Sequence, residues 1–272
     1  MPSTDSIAHP RVCAVSYLNT VPLVWGLLRS PDAALRATFD LSFALPSDCS
    51  DRLATGEADI GIVPVIEMAR QKLEYFHGSG IACHGPVRSI LLISKVPFGQ
   101  IRTLAADAGS RSSVMLARVI LAEKYGAEPK VHAQPPDLAA MLGGADAALI
   151  IGDPALRLDP ATLPFQTLDL GGEWNAMTGL PMVFAVWAGR KEIVQPRYEC
   201  AFADSCRYGI EHALDIAREE APLRRITEEL SRQYLTHHIV YELGPRDYEG
   251  MKLYVESALK LERVTVSGGV SA

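Results

Sequence analysis

Long hydrophobic runs are missing from this sequence, and no window approaches the roughly 20 apolar residues that a bilayer-spanning helix needs. The opening stretch, Met-Pro-Ser-Thr-Asp-Ser-Ile-Ala-His-Pro, lacks a positive start, a long apolar segment and a small-residue cleavage site, so no secretory signal is expected and the chain is assigned to the cytoplasm. Cysteine is scarce: Cys13, Cys49, Cys83, Cys200 and Cys206 form an odd, scattered set with no Cys-x-x-Cys pair, which argues against a disulfide framework and against a zinc site. Basic charge is in deficit, with 26 Lys and Arg against 32 Asp and Glu and a net charge of −6. With no basic run, the sequence gives no general reason to bind nucleic acid or an anionic membrane, though a local site for a small anion stays open. There is no Gly-x-Gly-x-x-Gly, no P-loop and no metal-ligand set, so no cofactor is expected. Repeats and low-complexity segments are absent too. What is present is ordinary for a soluble globular protein: 48% apolar and 21% charged residues over 272 positions. The length exceeds one average domain and is short for two independent ones.

The pattern along the chain alternates strands and helices. Val12-Cys13-Ala14-Val15 is a short apolar strand, and Pro22 after it suits the first turn of a helix. Residues 39–44 alternate as a strand, and residues 46–55 read as a helix with Ser47 or Asp48 as its cap and Gly56 as its stop. Residues 58–65 and 87–95 read as buried strands. A second unit follows, with strands at 103–107, 131–133 and 147–151 and helices at 110–126 and 137–142. Residues 180–188 carry a last strand, after which 198–217, 221–235 and 246–260 read as helices with no strand between them. Strands separated by single helices imply mostly parallel sheets covered on both faces. The economical plan is α/β with two lobes: residues 1–94 plus 190–272 form the first, residues 95–189 the second, and the strands near 87–95 and 181–189 make the crossings. That is the plan of the periplasmic-binding-protein type II fold, whose ligand sits in a central cleft between lobes.

Four places carry chemistry. Ser16-Tyr17-Leu18-Asn19-Thr20-Val21-Pro22-Leu23 is a strand-to-helix turn at the C-terminal end of a strand, where open α/β sheets hold ligands. Asn19 offers both an amide donor and a carbonyl acceptor there; alternatively, Asn19 or Thr20 only caps the helix near Pro22. Ser110-Arg111-Ser112-Ser113 opens a helix, where free N–H groups, hydroxyls and the positive dipole end make an anion site that Arg111 could reinforce with a bidentate grip; the alternative is an ordinary cap beside a solvated arginine. Gly152-Asp153 ends a strand: it either lines the cleft, or Asp153 caps the next helix. Thr178-Gly179 precedes the return strand, and Gly179 would let backbone approach a ligand closely. His237-His238 lacks a third ligand and reads as a surface helix end, His84 as loop surface, and Trp174 and Trp187 as packing residues.

Ser-Tyr-Leu-Asn-x-x-Pro-Leu at residues 16–23 resembles the signature of the chorismate dehydratases of the futalosine route to menaquinone. Three further segments resemble the family in order: Gly85-Pro86-Val87-Arg88-Ser89, Ser110-Arg111-Ser112-Ser113, and Glu173-Trp174 with Thr178-Gly179-Leu180-Pro181-Met182-Val183-Phe184-Ala185. The resemblance implies a hydro-lyase, a monomer or homodimer, that converts chorismate to 3-[(1-carboxyvinyl)oxy]benzoate and water without a cofactor. Arg88 and Ser89 occupy successive strand positions and point to opposite faces; the family pattern favours Ser89 in the cleft. Asn19 and Ser89 are thus the expected catalytic pair. Ser16, Tyr17, Arg111, Ser112, Ser113, Gly152, Asp153, Thr178 and Gly179 are the expected substrate contacts. None of these segments supplies a convincing general base, so the substrate's own enolpyruvyl carboxylate is expected to take the proton. The rival reading is a non-catalytic small-carboxylate binding or sensor protein of the same fold.

Overall fold

The computed structural model describes residues 9–107, 109 and 111–268, side chains excepted beyond residue 263. Ser110 lies outside the described residues. The strands are β1 (Arg11–Val15), β2 (Asp40–Ala44), β3 (Ile60–Pro64), β4 (Glu74–Cys83), β5 (Ile90–Ser94), β6 (Thr103–Asp107), β7 (Lys130–Gln134), β8 (Ala147–Ile151), β9 (Gln166–Asp169), β10 (Met182–Gly189) and β11 (Val240–Glu242). They form two sheets, a six-stranded one in the order β11-β4-β10-β3-β1-β2 and a five-stranded one in the order β7-β6-β8-β5-β9. The central strands β3, β5 and β8 are buried at every residue, as continuous apolar runs covered on both faces require. The edge strands β2 and β7 are mostly exposed.

The sheets are mixed rather than mostly parallel. β1 runs parallel to β2 and β3, and β6 runs parallel to β7 and β8. β10, however, pairs antiparallel with β3 and β4, and β5 pairs antiparallel with β8 and β9. The reason is the route of the chain. It passes from β4 in the first sheet directly into β5 of the second, and it returns through β10. The first passage contains no helix, and the return runs through the helix Leu170–Thr178, so β10 enters the first sheet at the end where β4 leaves it, Met182 pairing with Cys83. By hydrogen bonding β5 belongs wholly to the second sheet and β10 wholly to the first. β4 gave no clear pattern in Glu-Tyr-Phe-His-Gly-Ser-Gly-Ile-Ala-Cys, where polar residues and two glycines break the apolar run.

The helix Pro46–Thr55 ends at Gly56 as its sequence suggests, but neither Ser47 nor Asp48 caps it. Leu45, which has no side-chain acceptor, holds the cap position, and Pro46 follows it in the first turn. After β10 the chain is not purely helical. The helices Pro196–Glu211 and Ala213–Arg224 break at His212, then comes Glu228–Gln233, and the segment Tyr234–His238 has π geometry. β11 follows and pairs with β4, ahead of the long helix Pro245–Gly268. Three residues were too short a run to register as a strand.

The core joins these helices to the first sheet. The Trp187 ring of β10 stacks on Phe202 of the helix Pro196–Glu211 with centroids 4.4 Å apart, and Phe39 stacks on Phe202 at 4.7 Å. Trp174 and Trp187 are both fully buried, in keeping with packing roles. The helices Val21–Arg29 and Pro196–Glu211 cross at backbone distance. A Cβ on Gly209 would sit 1.9 Å from the Pro22 carbonyl oxygen, and one on Gly26 would sit 2.5 Å from the Ser205 Cα. Ser205 secures the crossing, its Oγ donating to the Leu23 carbonyl at 2.8 Å. Gly209→Ala should therefore force the helices apart and cost about 1–3 kcal/mol. Thermal unfolding measures this, and an unchanged melting temperature would mean the crossing yields freely.

Candidate active site

Between the two sheets lies a cavity lined by residues of both. Its walls are mostly apolar, from Val15, Ile62, Ile81, Val87, Ile151 and Phe184. Its polar lining comes from Tyr17, Asn19, Ser89, Arg111, Ser112 and Ser113, together with the backbone at Gly152. Three segments that are distant in sequence thus meet: the turn after β1, the residue before β5, and the start of the helix Arg111–Tyr125.

The turn after β1 forms a short 3-10 helix, Leu18–Thr20, that brings Asn19 to the cavity. Neither Asn19 nor Thr20 makes a side-chain cap for the helix Val21–Arg29. The Asn19 Oδ1 is buried without a hydrogen-bond partner among the described residues. Asp153 fixes the turn from below: its Oδ1 accepts from the Leu18 N–H at 3.0 Å, and its Oδ2 accepts from the Arg224 Nη1 at 2.8 Å. Arg224 also donates to the Ser16 carbonyl and pairs with Glu220 at 2.8 Å. Asp153 is not a helix cap, because it lies inside the helix Gly152–Leu156 and reaches across to another element. Neither Asp153 nor Ser16 lines the cavity.

Gly152 is present for two reasons. Its φ of +61° is left-handed, and a Cβ there would meet the Tyr17 ring at 2.7 Å. The Gly152 N–H donates to the Ser89 carbonyl at 2.8 Å, so the turn after β8 seats both Tyr17 and Ser89. Ser89, 1% exposed, accepts a 2.8 Å hydrogen bond on its Oγ from Tyr234. Arg88 precedes β5 with φ +66° and sends its guanidinium to the carbonyls of Ala155, Leu156 and Leu158, away from the cavity lining.

At the helix start, Ser112 and Ser113 are buried against the cavity beside the positive dipole end. Arg111 lines the cavity, but its guanidinium is held by Asp51 at 2.8 Å and by Glu67 at 3.0 Å. Its fork is therefore occupied by protein carboxylates. Thr178 and Gly179 are not brought to the cavity lining. Thr178 Oγ1 donates to the Trp174 carbonyl at 2.8 Å, and Gly179, with φ +69°, ends the helix Leu170–Thr178. The left-handed stop, not a ligand, accounts for the glycine. His84 pairs with Asp247 at 2.8 Å, and His238 meets the Pro86 carbonyl at 2.9 Å. Among the described residues no group of three or more His, Cys, Asp or Glu is placed to hold a metal ion.

Sequence reasoning missed three polar groups. Tyr234 and Arg224 come from the C-terminal helices and carry no local motif. Asp107, at the end of β6, is buried; its Oδ1 accepts from the Gly109 N–H at 3.0 Å, and its Oδ2 has no partner among the described residues. A polar residue closing an apolar strand was the available signal. Burial pushes the Asp107 carboxyl upward, and burial followed by the nearby Asp107 and Asp153 charges pushes the Tyr17 phenol upward.

The comparisons with known proteins agree on one family and one fold. A family model described as menaquinone biosynthesis matches residues 10–260. A chorismate dehydratase of Thermus thermophilus is 28% identical, the match covering 87% of this chain and 95% of that protein. A chorismate dehydratase of Campylobacter jejuni is 25% identical, covering 91% and 96%. Protein AF1704 of Archaeoglobus fulgidus superposes with a TM-score of 0.75 at 14% identity, covering 94% of this chain and 99% of that one. The periplasmic aliphatic sulphonate binding protein SsuA of Escherichia coli superposes with a TM-score of 0.64 at 14% identity, covering 96% and 89%. The fold is therefore the two-sheet α/β fold of periplasmic binding proteins, as the alternation of elements implied.

The raised Asp107 carboxyl gives a pH-dependent test. A carboxyl whose pKa rises on folding favours the fold while protonated; that contribution is full below its ordinary value of 3.8 and is lost as pH rises through the raised value. Asp107→Asn is neutral throughout. Its melting temperature relative to the unsubstituted protein should therefore climb as the pH rises above about 4. A pH-independent difference in melting temperature would contradict the assignment of burial as the cause.

Proposed function

The chain belongs to the menaquinone biosynthesis family over residues 10–260, and from that premise we propose that it is a chorismate dehydratase. The observation that carries the reading is the meeting of Asn19, Ser89 and the 111–113 helix start around one largely apolar cavity. Chorismate is a small dicarboxylate with one acid group on the ring and the other on the enolpyruvyl side chain. It suits a cavity with apolar walls and separate polar ends.

In this reading the ring carboxylate lies at the helix start, near Ser112 and Ser113. Loss of the C3 proton moves charge through the conjugated diene toward that carboxylate. Donors there stabilise charge that grows in the transition state, which is the condition for raising the rate rather than only the affinity. The enolpyruvyl carboxylate takes the C3 proton, with Asn19 and Ser89 orienting it. The C4 hydroxyl leaves, and the hydroxide and the proton together make one water. Aromatisation drives the step. The balance closes without a redox partner, because nothing is oxidised or reduced. Asp153 is an unsuitable base, since both its oxygens already accept strong hydrogen bonds.

The two lobes that close on the substrate are taken to be the two sheets with their helices, which moves the expected boundaries so that β5 goes with the second lobe and β10 with the first. A cytoplasmic location goes with this reading. Among the described residues, no helix is long and apolar enough to cross a membrane.

Purified protein given chorismate, with no metal or nucleotide added, should yield the enolpyruvyl benzoate, lighter than chorismate by one water, visible by mass and by aromatic absorbance. Asn19→Ala and Ser89→Ala should each lower kcat roughly a hundredfold or more, the scale of positioning and proton-transfer effects. Chorismate that binds but stays intact would instead make the chain a binding protein.

A further inference from the structure

The segment Tyr234–His238 is a single turn of π-helix, a geometry that is rare and found mostly at functional sites. Its first residue, Tyr234, is 1% exposed, and its hydroxyl donates to the Ser89 Oγ at 2.8 Å. The Asn19 side chain lies close enough to the same hydroxyl to favour its ionised form, opposing the much larger effect of burial. One buried phenol thus sits behind both residues of the proposed catalytic pair, although it is not itself among the cavity-lining residues.

A serine hydroxyl has one proton and two lone pairs. Because Tyr234 fills one lone pair of Ser89, the serine proton is left for a partner elsewhere, and Ser89 lines the cavity. Asn19 contributes the complementary group, a buried Oδ1 without a partner among the described residues. We infer that Tyr234 is a positioning residue, which makes Ser89 a hydrogen-bond donor toward the substrate and leaves Asn19 beside it as an acceptor. The inference rests on the chorismate dehydratase reading. In it, the Ser89 proton holds the enolpyruvyl carboxylate before the C3 proton moves. The Asn19 Oδ1 then accepts from the O–H which that transfer creates, an interaction absent in the ground state and therefore of the kind that raises kcat. Tyr234 itself exchanges no proton with the substrate: burial pushes its pKa well up, so it stays a neutral donor.

The test is steady-state kinetics on chorismate with the unsubstituted protein, Tyr234→Phe, Ser89→Ala and the double variant. Tyr234→Phe keeps the ring that fills the core and removes only the hydroxyl. Its kcat should fall roughly tenfold with KM within about twofold, the split expected when an interaction of the transition state is lost. Ser89→Ala should then do less damage in the Tyr234→Phe background, by about that same tenfold, since the two act as one unit. An unchanged kcat in Tyr234→Phe, or strictly multiplicative losses in the double variant, would overturn the inference while leaving the dehydratase reading intact. Absence of turnover by the unsubstituted protein overturns both, and that control alone tells the two failures apart. If Tyr234→Phe does not fold, 2,3-difluorotyrosine inserted at position 234 keeps the shape and the hydroxyl but makes a more acidic phenol. That stronger donor to Ser89 should then change kcat at neutral pH by at least about twofold with KM held; an unchanged kcat overturns the positioning role.

Discussion

The Asp153 carboxylate accepts on both oxygens, from the Leu18 amide at 3.0 Å and from the Arg224 guanidinium at 2.8 Å, and the geometry of the cavity follows from that pair of bonds. Leu18 belongs to the turn after β1, Asp153 to the turn after β8, and Arg224 to a C-terminal helix. The three lie in different parts of the chain, and the carboxylate is the group they share. Asp153 is 5% exposed, so the ion pair is largely withdrawn from water. Removing one member of such a pair strands a buried charge, which costs about 3–5 kcal/mol. The arrangement gives little net stability over an apolar filling, but it is highly directional. It sets where Asn19 stands relative to Gly152, and the Gly152 N–H in turn sets Ser89 through its carbonyl.

With the backbone fixed in this way, the polar groups around the cavity separate into engaged and open ones. Arg111 is held by Asp51 and Glu67, Asp153 by Leu18 and Arg224, and the lone pair of Ser89 that faces the protein by Tyr234. The Asn19 Oδ1 remains without a partner among the described residues. Buried acceptors are seldom left this way, because an unmet one costs about 1–3 kcal/mol. Strain of that kind concentrates where a fold is shaped for a ligand rather than for its own stability. The open groups are polar but uncharged, so a bound dicarboxylate would keep the charge of its own acid groups for chemistry.

The part of this that the sequence made legible is local. The strand at residues 11–15, the helix Pro46–Thr55 with its glycine stop, and the helix start at residue 111 each follow from patterns spanning a dozen residues or fewer. The Ser-Tyr-Leu-Asn turn and Ser89 were singled out by their resemblance to the family's segments, since local pattern alone left Asn19 open as a helix cap and did not choose between Arg88 and Ser89. What stayed hidden was long-range pairing. β4 is a ten-residue strand whose glycines and polar residues mask its period. Tyr234 contacts Ser89 across 145 positions, and Arg224 reaches Ser16 across 208. Thr178 and Gly179 show the opposite error. Their motif is real, but the local need for a left-handed helix stop explains it. Asp153 was read as either a cleft residue or a helix cap, and it is neither: its partners lie on two other elements, a third option that spacing cannot reveal.

The composition of the cavity also bears on why a fold of binding proteins can host an elimination. A binding protein of this fold that takes an anion needs donors for it and a cleft that closes around it. An elimination assisted by the substrate's own carboxylate adds little to those requirements. The protein must hold the carboxylate over one C–H bond and stabilise charge spreading into the ring, and hydroxyls, an amide and a helix start suffice for both. A base supplied by the protein would demand a carboxylate or imidazole facing the cavity with a pKa tuned by its neighbours. The buried carboxylates near this cavity are instead tied to the scaffold, as Asp153 and Glu67 are, or set away from the cavity lining, as Asp107 is. On the proposed reading the distance between binding and catalysis in this fold is short: it lies in the direction of one hydroxyl proton on Ser89 and in one acceptor on Asn19.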